Sequence, residues 1–122
     1  MISGGNATIY VSDMDRAVEF YTQSLGLALV DRYENEWAAV DAGKGFLIGL
    51  HPASPASQAP GENGSTQVGL FVDQPLEEVH EAFFKRGVKF TGPIVNDEVV
   101  RLAYFTDPDG NLLYLCETNY KY

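Results

Sequence analysis

The sequence predicts an α+β fold of two paired βαβββ modules, and three observations carry that prediction. The chain repeats its own plan at half its length. Each half runs strand, helix, then short strands. Its 122 residues, 45% hydrophobic and 20% charged, suffice for one ordinary core. A shift of 61 positions lays Val11 on Val72, Val18 on Val79 and Gly26 on Gly87, each at the same place in the plan. A unit of this size with a one-sided sheet buries too little alone, so the two are expected to pair. Helices then lie on the outer faces, and curved mixed sheets enclose a ligand cavity. One domain, residues 1–122, is expected to consist of module 1 (5–51), a linker (52–65) rich in Ala, Ser, Pro and Gly, and module 2 (66–118).

In module 1, Ala7 to Val11 reads as a strand, and Ser12 or Asp13 can cap the helix that follows. Met14, Ala17, Val18, Tyr21 and Leu25 recur at spacings of three and four, which predicts one apolar face on a helix running to Leu25. Gly26 supplies its left-handed stop. Strands are predicted at Ala28 to Tyr33, Trp37 to Val40 and Phe46 to Leu50, separated by turn residues. In module 2, Gln67 to Val72 is a strand, Asp73 a cap, and Pro75 sits in the first helical turn, where its missing N–H is no loss. Leu76, Val79 and Phe83 face inward; Glu77 and Glu78 near the start and Lys85 and Arg86 near the end suit the helix dipole, and Gly87 stops it. Val88 to Val95, Val99 to Thr106 and Asn111 to Glu117 are the remaining strands, the last two joined by Asp107-Pro-Asp-Gly110.

Eight Lys and Arg against seventeen Asp and Glu give a formal charge of −9, which repels nucleic-acid phosphates and anionic lipid headgroups. No run is long and apolar enough to span a bilayer, and the start carries no basic segment. The reading is a soluble, cytoplasmic protein with no nucleic-acid or membrane partner. The single Cys116 cannot form an internal disulfide and reads as a buried, reduced thiol.

The segments Tyr10-Val-Ser-Asp-Met-Asp-Arg-Ala-Val-Glu-Phe-Tyr21, Leu25-Gly-Leu27 and Phe105-Thr-Asp-Pro-Asp-Gly-Asn-Leu-Leu-Tyr114 resemble the vicinal oxygen chelate superfamily of glyoxalases, extradiol dioxygenases and bleomycin-resistance proteins. That resemblance spans nearly the whole chain, and paired βαβββ modules are the family's fold. It implies that a divalent metal, where one is held, is bound by His and Glu near the start of each module's first strand and on its last strand. Those places fall on Asn6, Gly49, Gln67 and Tyr114. None is a good ligand for a first-row divalent metal, so no metal and no other cofactor is expected. Asn6 and Gln67 would instead offer polar groups to a ligand, or satisfy strand-end backbone, and Tyr114 would add a ring and a hydroxyl.

Strand parity extends this candidate set. Thr8 and Tyr10 alternate with Asn6, Gly69 and Phe71 with Gln67, and His51 with Gly49. His51 is one of two histidines and the candidate general base, with Glu117 as its acid–base partner; the plainer reading is an exposed strand-end histidine. His80, on the second helix, reads as packing or solvent-facing. Trp37 and Arg101 can wall or clamp a ligand. Arg101 needs a carboxylate such as Glu117 or Asp41, or an anionic ligand group, if buried.

These residues leave three functions open. The first is a metal-free protein that sequesters a small organic ligand, planar or cationic, like the drug-binding members of the superfamily. The second is a lyase, isomerase or dioxygenase-like enzyme using a divalent metal, or His51 with Glu117. The third is an interaction module without a ligand. The resemblance implies a homodimer for the first two, with Trp37, Phe71 and Tyr120 as candidate interface contributors.

Overall fold

The computed structural model describes residues 1–118 apart from Ile2, Ala56, Gln58, Ser65 and Glu98; Tyr120 lies outside the described residues. The fold is α+β, with two mixed sheets, and the chain divides into two compact units. The first is Met1–Glu62 with Pro108–Asn111, the second Asn63–Asp107 with Leu112–Tyr122. Among the described residues no helix is long and apolar enough to cross a membrane.

The first unit contains β1 (Asn6–Val11), α1 (Met14–Glu19), β2 (Ala28–Tyr33), β3 (Trp37–Asp41) and β4 (Leu47–Pro52), with strand order β1-β4-β3-β2. β1 and β4 run parallel, and the other pairs are antiparallel. Ile9, Val11, Ile48 and Leu50 are buried together with Met14, Ala17 and Val18 of the helix. Because side chains alternate across a strand, this burial commits Thr8, Tyr10, Gly49 and His51 to the other face.

Asp13, not Ser12, caps α1: its carboxylate accepts the Arg16 N–H at 3.0 Å. The helix was expected to run to Leu25, but α-helical geometry ends at Glu19 and a π-helical turn occupies Phe20–Ser24. There the Thr22 hydroxyl donates to the Val18 carbonyl at 2.6 Å, and the Leu25 N–H reaches five residues back to Phe20. The wider turn accompanies burial of two consecutive rings, Phe20 and Tyr21, packed edge to face with centroids 5.3 Å apart.

The turn Pro108–Asn111 is tied to this unit by polar bonds. Asp109 accepts the Ser12 N–H at 3.1 Å as well as the Ser12 hydroxyl, and Arg16 lies 3.5 Å away. The Asn111 side chain donates to the Tyr10 carbonyl at 3.0 Å and accepts the Gly61 N–H at 2.8 Å.

The second unit contains β5 (Val68–Phe71), α2 (Leu76–Lys85), β6 (Lys89–Phe90), β7 (Val95–Asn96), β8 (Val100–Thr106) and β9 (Leu112–Thr118). The order is β5-β9-β8-β6, with β7 also on β8, and β5 parallel to β9. The single strand predicted for Val88 to Val95 is two short ones, because Gly92-Pro93 interrupts the ladder with a residue that has no N–H to donate. Asp73 does not cap α2. Pro75 occupies the cap position and offers no side-chain acceptor; the Leu76 N–H instead donates to Glu117 on β9 at 2.8 Å. A cap supplied from a distant strand leaves no signal in the local sequence.

Ala103, Phe105, Leu113 and Leu115 are buried, so Arg101 and Glu117 share their strand parity and lie on the α2 side of the sheet. There Arg101 binds Glu77 of α2, Glu117 at 3.2 Å and Asn96 at 2.8 Å. Glu117 was one of its two expected partners; the other, Asp41, accepts the Gly43 N–H at 2.6 Å instead. The hydrogen bond from Arg101 holds the Glu77 carboxyl down at about 2.

Two predictions follow from these contacts. A carboxyl lowered from 4.5 to about 2 stabilises the fold above its unfolded value, and this contribution is lost as pH falls through the folded one. Glu77→Gln should therefore be less stable than the parent in urea at pH 7, and the gap should close between about pH 4.5 and 2. Asp109→Ala should cost about 1–3 kcal/mol in chemical denaturation at pH 7, because the Ser12 and Arg16 donors lose a charged acceptor.

Candidate functional site

The face of the first sheet turned away from α1 collects six of the candidate residues: Asn6, Thr8, Tyr10, Trp37, Gly49 and His51. Thr8 is the cross-strand partner of Gly49, and Tyr10 that of His51. The Thr8 hydroxyl donates to the Asn6 side-chain carbonyl at 2.8 Å. His51 stands edge-on to Tyr10 and to Trp37, with ring centroids 5.8 and 6.5 Å away. Tyr10, Trp37 and His51 are all half-buried, so these rings present aromatic surface together with a polar edge.

A glycine makes this arrangement possible. A Cβ at Gly49 would run into the benzo edge of the Trp37 indole, 2.8 Å from Cζ3, and crowd the Thr8 hydroxyl at 3.1 Å. The indole therefore occupies the space that any side chain at position 49 would need. Glycine within an apolar strand was the one sequence signal for such a close approach. Trp37 is the only tryptophan, and it is a surface of the site rather than a core residue.

The His51 ring is held by a hydrogen bond to the backbone. Its Nδ1 lies 2.8 Å from the Pro52 carbonyl oxygen, which can only accept, so the hydrogen bond is donated from Nδ1 and the Nε2 edge is left for other partners. The imidazole is thereby oriented beside Tyr10.

The second sheet repeats the device with the roles exchanged. Gly69 pairs with Tyr114, and the phenol end of Tyr114 lies where a Gly69 side chain would be. Tyr104, opposite Tyr114 on β8, adds a ring with its centroid 5.5 Å away. Sequence reasoning missed Tyr104, although its parity with Leu102 and Thr106 on β8 could have placed it. Phe71 is exposed on β5 and Gln67 is exposed just before it. The buried thiol of Cys116 is pushed up by desolvation, which disfavours the reactive thiolate.

Arg101 and Glu117 belong to the opposite, helix side of this sheet. Glu117 is bonded to Arg101 and to the first N–H of α2, and Arg101 to three side chains. Their positions serve the packing of α2 onto the sheet.

The donor set does not fit a divalent metal. Gly49 has no donor, Asn6 and Gln67 offer amides, and Tyr114 a phenol. Among the described residues no group of three or more His, Cys, Asp or Glu side chains converges.

Comparison with known proteins agrees with this fold. Residues 5–115 match the family model described as the Glyoxalase/Bleomycin resistance protein/Dioxygenase superfamily. No curated protein matches the sequence. Among solved structures, a member of that superfamily from Sphaerobacter thermophilus is 29% identical, with a TM-score of 0.76 over 96% of this chain and 98% of that one. A virulence protein from Salmonella typhimurium (22% identity, TM-score 0.75, 97% and 99% coverage) shares the fold. So does TioX from a Micromonospora species (21% identity, TM-score 0.75, 95% and 98% coverage).

Gly49→Ala tests the close approach. The added methyl group should displace the indole, shift the emission of the single tryptophan, and destabilise the fold by about 1–3 kcal/mol in urea denaturation. Unchanged emission would mean that Trp37 does not lie against Gly49.

Proposed function

Because the chain belongs to the glyoxalase/bleomycin resistance protein/dioxygenase superfamily, we propose that it binds a small, flat organic molecule against the Trp37 face, without a metal and without transforming it. The observation that carries this reading is the Trp37 indole packed on Gly49, a position where the superfamily pattern places a ligating side chain. An aromatic surface there suits stacking, and Asn6, Thr8 and His51 supply the few polar groups that orient a ligand. The tyrosines around Gly69 give the second module a surface of the same kind. The formal charge of −9 favours neutral or cationic ligands over anionic ones at this face. We place the protein in the cytoplasm as a homodimer.

The oriented His51 favours a second reading, an enzyme in which Nε2 takes a proton from bound substrate. Glu117 is not needed for that role.

A native mass spectrum of the protein as purified reads subunit number, metal and carried-over ligand together. The binding reading expects a metal-free dimer, with or without an organic adduct, and a stoichiometric divalent metal overturns it. Compounds that quench Trp37 emission then identify ligands. Trp37→Leu should weaken their binding by about tenfold or more, equivalent to about 1.4 kcal/mol. If a bound compound is turned over and His51→Ala abolishes that turnover, the enzyme reading replaces the binding one.

A further inference from the structure

On the reading of the Trp37 face as a ligand site, on which this inference rests, we propose that the ligand is an organic cation and that Asp31, on the edge strand of the sheet, selects for its charge. Strand register places the parts. Tyr10 pairs with His51, Tyr33 with Trp37, and Ala38 with Leu50, which sets Trp37 level with His51. Cross-strand partners share a face, so four rings, Tyr10, His51, Trp37 and Tyr33, cross the sheet in one row. The next row is Thr8, Gly49, Ala39 and Asp31. Asp31 therefore stands one row from the Tyr33 and Trp37 positions, opposite a residue that carries only a methyl group.

A β-bulge decides which charge reaches this face. The pairing of β2 with β3 shifts by one residue between Leu29 and Asp31, leaving Val30 without a partner on β3 and setting Asp31 opposite Ala39. Continued from Leu29–Val40 without that shift, the register would put Asp31 on the helix side and Arg32 opposite Trp37. The bulge exchanges the two charges. Arg32 turns to the helix side, where it binds Asp15 of α1 at 2.6 Å, and Asp31 and Tyr33 turn to the ring side. A guanidinium beside the rings would repel a cation, while a carboxylate there attracts one.

The charge on the face has one sign. By register its strand residues include two carboxylates, Asp31 and Asp41, and no Lys or Arg. Asp41 accepts the Gly43 N–H at 2.6 Å. Among the described residues the Asp31 carboxylate has no hydrogen bond or ion pair, and Tyr33, two residues on, is 65% exposed. Trp and Tyr rings attract cations that come within about 6 Å of the ring centre. A flat ring with a fixed positive charge matches both features, since the ring stacks on the aromatic row and the charge meets Asp31.

The test titrates 1-methylquinolinium and neutral quinoline, at pH 7, into the protein labelled with nitrogen-15. Saturable amide shifts with the cation are expected at Asp31, Tyr33, Trp37 and Ala39, and quinoline should bind about threefold more weakly or worse. Asp31→Asn, at an exposed position, should weaken binding of the cation by about the same factor and leave that of quinoline unchanged. The proposal is overturned if the cation gives no saturable shift, if its shifts map away from β2 and β3, if quinoline binds as tightly, or if the Asp31→Asn protein holds the cation as tightly as the parent. Neutral compounds that bind at Trp37 as well as the cation remove the charge selection alone. The face itself falls only where Trp37→Leu leaves the binding of every such compound unchanged.

Discussion

Burial of one face of each sheet beneath its helix is the constraint from which the rest of this structure follows. Ile9, Val11, Ile48 and Leu50 in the first module, and Ala103, Phe105, Leu113 and Leu115 in the second, are essentially out of water. Apart from Ala103, each such side chain contributes on the order of 1.5–3 kcal/mol to the fold. A slip of one residue in any of these strands would exchange buried and exposed sets, so register is strongly specified. Which residues lie on the opposite face is then fixed by alternation along each strand. That face carries aromatic and polar groups, among them Thr8, Tyr10, Trp37 and His51 in the first module.

The helix-facing sides also contain charge, and its placement explains why two candidate residues have structural partners. Arg101 joins β8, β9 and α2 through Glu117 and Glu77, while Glu117 also caps α2. A helix whose first residue follows Pro75 has no local side-chain acceptor for its leading N–H; the neighbouring strand meets that need. The first module solves the same problem locally with Asp13 and uses a different charged group, Asp109, to hold the turn Pro108–Asn111 beside Ser12 and Arg16. The two modules repeat one plan yet cap their helices by unrelated means.

On the free faces the repeat persists as a physical motif rather than as residue identity. Thr8–Gly49 and Gly69–Tyr114 are corresponding cross-strand pairs, and in each a glycine admits an aromatic ring that no other residue would. In one module the ring comes from β3, in the other from the strand partner itself. Ring-on-glycine packing removes the side-chain donor at Gly49 and puts aromatic surface in its place. On the same face the His51 ring stands edge-on to Tyr10 and Trp37.

Local pattern in the sequence was enough for the order of strands and helices, the two-fold repeat and the parity that gathers Asn6, Thr8, Tyr10, Gly49 and His51, because period-two and period-3.6 burial are written in neighbouring residues. It did not contain the π-helical turn at Phe20–Ser24, the break at Gly92-Pro93 or the cap from Glu117. These depend on which side chains compete for the same space or the same backbone group across long separations. The seat of Trp37 on Gly49 belongs with them: twelve positions part the two residues along the chain, and only the pairing of β3 with β4 brings an indole to a strand position that lacks a side chain.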